Sequence, residues 1–340
     1  MAVTAPGDDE YAQLESQFLR HVPVVDGMDA MQQLKQMAAA ADAPASAPAA
    51  ASSSSPPGPA ASSLTSASAS SSLPRLIVIG GDQCTGKSTL SGRLAELIGG
   101  RAFSAGTIFR ATAKRMGLSS AELSRRALAD PGIDVGIEFD LCRLLLSRGL
   151  GPEGALVIEG RQPAVMAGFL RRRFGRSPDF TVRLVCSTRE QALRFIQREA
   201  GDKLFHMAAK VLPDPLQSLS AASPMLRALG ASLREDDAAS SKLQSAADRL
   251  CAMFSDNDRR DEDDRRRFLT LYGKGPRLDY RSPELYDAII DTTPNQPQQT
   301  FAQTVQAMET HLAAKQKDAT RGDSSSSTAA ASTKGIRSKL

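Results

Sequence analysis

Residues 81–88 read Gly81-Asp82-Gln83-Cys84-Thr85-Gly86-Lys87-Ser88, which is the pattern G-x-x-x-x-G-K-S in full. Glycines in such a loop let the backbone wrap closely around an anion and turn its N–H groups inward. A helix that begins where the loop ends adds partial positive charge. Lys87 can then reach the β- and γ-phosphates of a nucleotide as a point charge, and the Ser88 hydroxyl can ligate Mg²⁺. Together with Thr89, these eight positions are the expected ATP site. Cys84 lies inside the loop and reads as a small tolerated residue.

The pattern is specific only in the right context, a strand before it and a helix after it. Leu76-Ile-Val-Ile79 is an apolar run of strand length, and Leu90, Leu94 and Leu97 fall at helical spacing. Further strands are expected at Arg101-Ala-Phe103, Ala155–Ile158, Phe180–Val185 and Tyr286–Ile290. Helical patterns run through Thr107–Met116, Ser119–Leu128 and Ile133–Leu146. Strands alternating with helices imply a parallel sheet covered on both faces, with ligands beyond the carboxyl ends of the strands.

Several polar residues fall at those ends. Glu159 can act as the acidic partner of a Mg²⁺ site, holding the ion through water. Arg110 and Arg161 each follow a glycine-containing turn, and Arg can grip a phosphate with two hydrogen bonds. On a helix through residues 256–267, Arg260, Asp264 and Arg267 share one face. That face is either a solvated, salt-bridged surface or an arginine-bearing lid over transferring phosphates.

The chain has 340 residues and a formal net charge of +4. Residues 1–72 hold seven acids and two bases, −5 in all, which leaves +9 for the rest. A basic folded part suits a polyanionic ligand, and charge alone does not separate nucleotide from nucleic acid. There is no Trp and only 5% aromatic content, which argues against extensive stacking on single-stranded nucleic acid. Four widely spaced cysteines and three isolated histidines offer neither zinc spacing nor a disulfide framework. No apolar run approaches the roughly 18 residues of a membrane span. The N-terminus lacks signal-peptide order and is too acidic for a mitochondrial transit peptide.

Residues 38–73 are almost entirely Ala, Ser and Pro, so residues 1–73 are expected to be a largely disordered extension. Residues 74–320 would form the folded domain and 321–340 a flexible tail. The last residues, Ser338-Lys339-Leu340, match the tripeptide read by the peroxisomal import receptor. The expectation is import into a peroxisome or a related organelle such as a glycosome.

The string Phe103-Ser104-Ala-Gly106-Thr107-Ile-Phe-Arg110 resembles the S-A-G-[DE]-I-F-R block of archaeal-type cytidylate kinases. The resemblance continues in order through Ala155–Arg161, then Arg260-x-x-x-Asp264-x-x-Arg267-Phe268-x-x-x-Tyr272-Gly273, and ends at Tyr286–Thr292. It implies an α/β P-loop NTPase fold: a five-stranded parallel sheet, helices on both faces, and monophosphate-binding and lid regions. The implied reaction is transfer of the γ-phosphoryl of ATP to CMP or dCMP, with Mg²⁺ as cofactor. Carried across, Ser104 and Arg110, in the block that includes Gly106, would hold the acceptor nucleotide. Arg161 would hold its phosphate. Arg260 and Arg267 would close on the phosphates, and Asp264 would position them or the nucleotide.

Three departures stand out. Thr107 occupies a position where the block carries an acid. Gln162 follows Arg161 where bacterial relatives carry an Asp near the cytosine ring, and both bear on base selectivity. An insertion, residues 202–259, precedes the lid arginines, and its Ala/Ser/Leu content suggests loose, partly disordered helices. A kinase for AMP or UMP, or a regulatory nucleotide-binding protein without turnover, are the competing readings. Nucleic-acid binding fits less well, because the basic residues cluster around phosphate sites. A monomer is expected.

Overall fold

The computed structural model describes residues 9–40, 74–147, 154–232 and 238–334. Two N-terminal helices, α1 (Ala12–His21) and α2 (Ala30–Ala40), precede the sheet. Then follow β1 (Leu76–Gly81), α3 (Lys87–Leu97), β2 (Arg101–Ser104), α4 (Ala105–Arg115), α5 (Ser120–Ala127) and α6 (Pro131–Leu146). The chain continues through β3 (Leu156–Glu159), α7 (Pro163–Phe174), β4 (Phe180–Val185) and α8 (Thr188–Val211). It closes with α9 (Ser223–Ala231), α10 (Ala238–Tyr272), β5 (Ala288–Asp291) and α11 (Pro297–Lys334).

The five strands form one sheet in the order β2-β3-β1-β4-β5, and every neighbouring pair is parallel. This is the P-loop kinase arrangement that the sequence predicts. All six residues of β1 are buried, as a strand covered on both faces requires. One face packs Ile77, Ile79, Val182 and Leu184 against Leu90 and Leu94 of α3 and Met308 of α11. The other packs Val78 and Ile158 against α6 and α7. β5 starts two residues later than predicted, because Tyr286 is held aside by its hydroxyl donating to the Tyr280 carbonyl at 2.7 Å.

Two parts of the sequence reading need correction. Residues 9–40, expected within a largely disordered extension, form α1 and α2 and belong to the main core. Tyr11, Leu14 and Phe18 make a helical stripe, and Leu14 and Phe18 are fully buried. The Phe18 ring meets Phe139 of α6 and Phe169 of α7 edge-on, each at 5.6 Å between centroids. The acidic character of this segment finds basic partners, since Asp9 and Glu15 both pair with Arg173. Gln13 Nε2 donates to the carbonyls of Thr270 and Leu271 at the end of α10. The Ala/Ser/Pro run at 41–73 and the tripeptide Ser338-Lys339-Leu340 lie outside the described residues. The expected flexible tail begins inside α11, which runs on to Lys334.

The insertion is the second correction. It forms a packed helical lobe from the second half of α8, α9 and the first half of α10, with its own core of Leu204, Leu212, Leu226, Leu250 and Phe254. Gly201, at φ +79°, breaks α8 where the lobe begins, a backbone state that side chains with a Cβ rarely adopt. Asp258 anchors the lobe by accepting from the amides of Leu219 and Ser220. Among the described residues no helix is long and apolar enough to cross a membrane.

Phe18→Ala is expected to destabilise the fold by about 3–5 kcal/mol, since it empties a closed aromatic cluster. Denaturant unfolding checks this, and a loss under about 1 kcal/mol would show that α1 is not seated in the core.

Candidate active site

The P-loop leaves β1 in the centre of the sheet and enters α3 through Gly86, whose φ of +91° places it in the left-handed region. That conformation suits glycine and turns the loop back over the helix N-terminus. Thr85, almost fully buried, braces the loop by donating its hydroxyl to the Asp82 carbonyl at 2.9 Å. Lys87 Nζ donates to the same carbonyl at 2.5 Å. Lys87 keeps part of its surface open to the cleft, but its dense surroundings lead the electrostatics. Desolvation pushes its ammonium pKa below the ordinary value, and Glu159 opposes this. An arriving phosphate would restore the missing negative charge.

Glu159, at the end of β3, is buried and lies beside the P-loop. Ser88 Oγ donates to its Oε1 at 3.2 Å. Cys84 is packed against Arg194 and Arg198 of α8. Arg194 donates to its carbonyl and Arg198 contacts its Sγ. Burial raises the Cys84 thiol pKa against the pull of Arg198, Lys87 and Arg194, which disfavours the thiolate.

Beyond the P-loop lies a cleft of about 360 Å³, within the range of small-molecule sites. Ser104, Gly106 and Arg110 line it from β2 and α4, and Arg161 and Gln162 from the turn after β3. Asp264 and Arg267 close it from α10, and Lys87 reaches in from the P-loop. The structure therefore brings these predicted residues together around one space. Arg260 also lies in α10, but its side chain is outside the described residues. Thr107, in place of the expected acid, accepts from Arg110 at 3.0 Å and so orients that guanidinium.

The arginines are engaged by carboxylates. Arg161 pairs with Asp261 at 2.5 Å and with Asp264 at 3.0 Å. Arg267 pairs with Asp134 of α6 at 2.5 Å and with Asp264 at 3.1 Å. Burial works against the Arg161 charge, but Asp261 and Asp264 outweigh it and hold the pKa above its ordinary value. Gln83 of the P-loop also donates to Asp261, at 3.1 Å. Asp82 accepts from Tyr280 at 2.9 Å and from Arg281 at 3.2 Å, tying the loop to the segment before β5.

Sequence reasoning missed Asp134, Glu138 and Asp261. The first two are acids at i, i+4 spacing in α6, a largely apolar helix that also carries Asp140 and Arg143, and the spacing is a signal the sequence does carry. Burial drives the Glu138 carboxyl well above its ordinary range, and Asp134 adds to the shift while Arg267 opposes it. Among the described residues no group of three or more His, Cys, Asp or Glu stands at metal-binding distance.

The chain is 35% identical to a cytidylate kinase of Ignicoccus hospitalis over 124 residues, 36% of this chain and 64% of that protein. It is 33% identical to a cytidylate kinase of Methanocaldococcus jannaschii over 128 residues, 38% of this chain and 66% of the relative. A shorter match, 50% over 62 residues, covers 18% of this chain and 34% of a cytidylate kinase of Desulfurococcus amylolyticus. The chain is similar to the cytidylate kinases of archaea. No protein-family model matches it. The matches span between about a third and two thirds of the length of these cytidylate kinases.

The Glu138 carboxyl makes a pH test possible. A carboxyl with a raised folded-state pKa stabilises the fold only below its unfolded value, near 4.5, and that contribution is lost as pH rises through the folded value. Glu138→Gln removes this dependence. Between about pH 5 and 8 the melting temperature of the Gln variant should rise relative to the wild type. A difference that stays flat across this range would mean that the carboxyl is already solvated.

Proposed function

We propose that this chain is a nucleoside monophosphate kinase that transfers the γ-phosphoryl of ATP to CMP or dCMP, giving ADP and CDP or dCDP. The observation that carries the reading is a single cleft lined by both the P-loop lysine and an arginine set suited to a second phosphate. A nucleotide-binding module without an acceptor would have no use for Arg110, Arg161 and Arg267 around that space. The similarity to cytidylate kinases supports CMP as the acceptor.

In this reading the acceptor phosphate is held by Arg161 and Arg110, and Arg267 approaches from α10. The attacking oxygen needs no side-chain base, because the second pKa of a phosphate monoester is about 6. Lys87 and the loop amides take the charge of the β- and γ-phosphates. Asp261 and Asp264 then act as placeholders that keep the arginines aligned until phosphates replace them. The residues fit a Mg²⁺ ion: Ser88 Oγ and Glu159 Oε1 are hard oxygen donors 3.2 Å apart, beside the phosphate loop. Ser88 would bind the ion directly and Glu159 through water, and bound there it neutralises charge on the phosphates.

Lys87→Ala should lower kcat by about 10²–10³-fold, the typical effect of removing a preorganised charge from the transferring group. Steady-state ADP release measures it, and near-normal turnover would refute the role given to Lys87.

ADP release from Mg-ATP with CMP, dCMP, UMP, AMP or no acceptor tests the substrate. CMP or dCMP should give the highest kcat/KM. Preference for AMP or UMP would keep the mechanism and replace the acceptor. Intact ATP binding with no acceptor-dependent turnover would leave a regulatory protein.

A further inference from the structure

The side chains that line the acceptor cleft are of two kinds. One set is cationic, Arg110, Arg161 and Arg267. The other is apolar: Ile108 and Phe109 of α4, Ile137 and Leu141 of α6, and Phe268 of α10. Glu138 of α6 stands next to Ile137 in the chain. It is 7% exposed, lines the cleft, and its Oε2 has no hydrogen-bond partner. Gln162, at the start of α7, also lines the cleft, and its Oε1 is likewise buried and without a partner. Buried polar atoms are rarely left unpaired in a finished structure, so two of them on residues that line one cleft point to a ligand that completes them.

The chemistry narrows that ligand. The arginines attract the phosphates, which leaves Glu138 and the apolar side chains for the rest of the ligand. Burial raises the Glu138 carboxyl pKa and so favours its neutral form, and Asp134 on its own helix adds to this. Arg267 of α10 opposes it, and the buried hydroxyl of Tyr272 and thiol of Cys142 are neutral neighbours. A protonated carboxyl offers one O–H donor beside one carbonyl acceptor. A cleft that offers such a pair beside apolar side chains suits a nucleobase.

We propose that Glu138 and Gln162 read the amino-imine edge of the acceptor base. The Glu138 O–H donates to the ring nitrogen, and its carbonyl oxygen accepts one hydrogen of the neighbouring exocyclic amino group. Gln162 Oε1 accepts the second amino hydrogen. Cytosine presents this edge at N3 and N4. Uracil places a carbonyl oxygen opposite Gln162 Oε1, where two acceptors face each other, and is disfavoured. The assignment rests on the acceptor reading above, and it makes Glu138 a specificity-determining residue from α6, an element outside the family blocks quoted for the acceptor site.

The test is equilibrium binding to the full chain by titration calorimetry, with CMP, UMP and the CMP analogue that lacks the 4-amino group. Wild type should bind CMP at least about 10-fold tighter than either of the others, since a site that pairs a substrate group leaves its own groups unpaired when that group is missing. Glu138→Leu should abolish the preference while leaving ATP binding unchanged. Glu138→Gln, whose amide keeps one donor and one acceptor, should retain it. Equal affinity of the wild type for CMP and the deamino analogue overturns the proposal without any variant having to fold. A wild type that binds CMP with this preference yet fails to phosphorylate it overturns the kinase reading alone. One that binds no pyrimidine monophosphate overturns both.

Discussion

Arg161 is where the molecule's parts meet. It stands at the turn after β3, next to the central strand, and its two partners Asp261 and Asp264 belong to the distant helix α10. Removing it would leave two carboxylates facing each other in a half-buried cleft, and breaking such a pair costs far more than the pair contributes. Asp261 also accepts from Gln83 of the P-loop, and Asp264 also binds Arg267. The ion pairs thus chain the sheet edge, the phosphate loop and the lid helix into one network. The network binds cations that phosphates would also bind. Its strength without substrate and its ability to exchange partners are therefore two aspects of one electrostatic balance.

That balance explains why α10 is built as it is. The helix runs for 35 residues, about 50 Å at 1.5 Å per residue. Its last turns pack Phe268 and Tyr272 into the main core, its middle carries the acids and arginines of the site, and its first turns lie in the inserted lobe. Before the lobe begins, Arg194 and Arg198 of α8 hold the backbone and sulfur of Cys84. The insertion is therefore joined at one end to a helix that touches the P-loop and at the other to a helix that lines the cleft.

Much of this was legible in the sequence. The apolar runs at 76–79 and 180–185 can be satisfied only in a sheet covered on both faces, and the P-loop pattern fixes which end binds phosphate. That Asp264 and Arg267 share a side of α10 was readable from helical spacing. Asp261 was not, because it lies off the face counted from Arg260. A cleft wedged against the flank of a helix takes residues from both faces. Glu138 was hidden differently. An acid in a helix that carries two others, Asp134 and Asp140, reads as a surface residue until the tertiary structure shows that no surface is there. Residues 9–40 were obscured by averaging: acid content was summed over 72 residues, and the Tyr11–Leu14–Phe18 stripe was diluted by the Ala/Ser/Pro run beside it. Composition reports a segment's mean, whereas packing depends on where each residue falls.

The seating of α1 has a consequence for the order in which the chain assembles. Gln13 bonds to the carbonyl of Thr270, 257 residues further along, while Phe18 needs Phe139 and Phe169. Of the described helices α1 is made earliest, and it completes its contacts only after α10. Throughout synthesis its aromatic stripe has no permanent home, and closing so long a loop is among the slower steps open to a chain of this size. Docking of α1 is thus a late seal on the fold, formed only once the sheet, α7 and the end of α10 are in place.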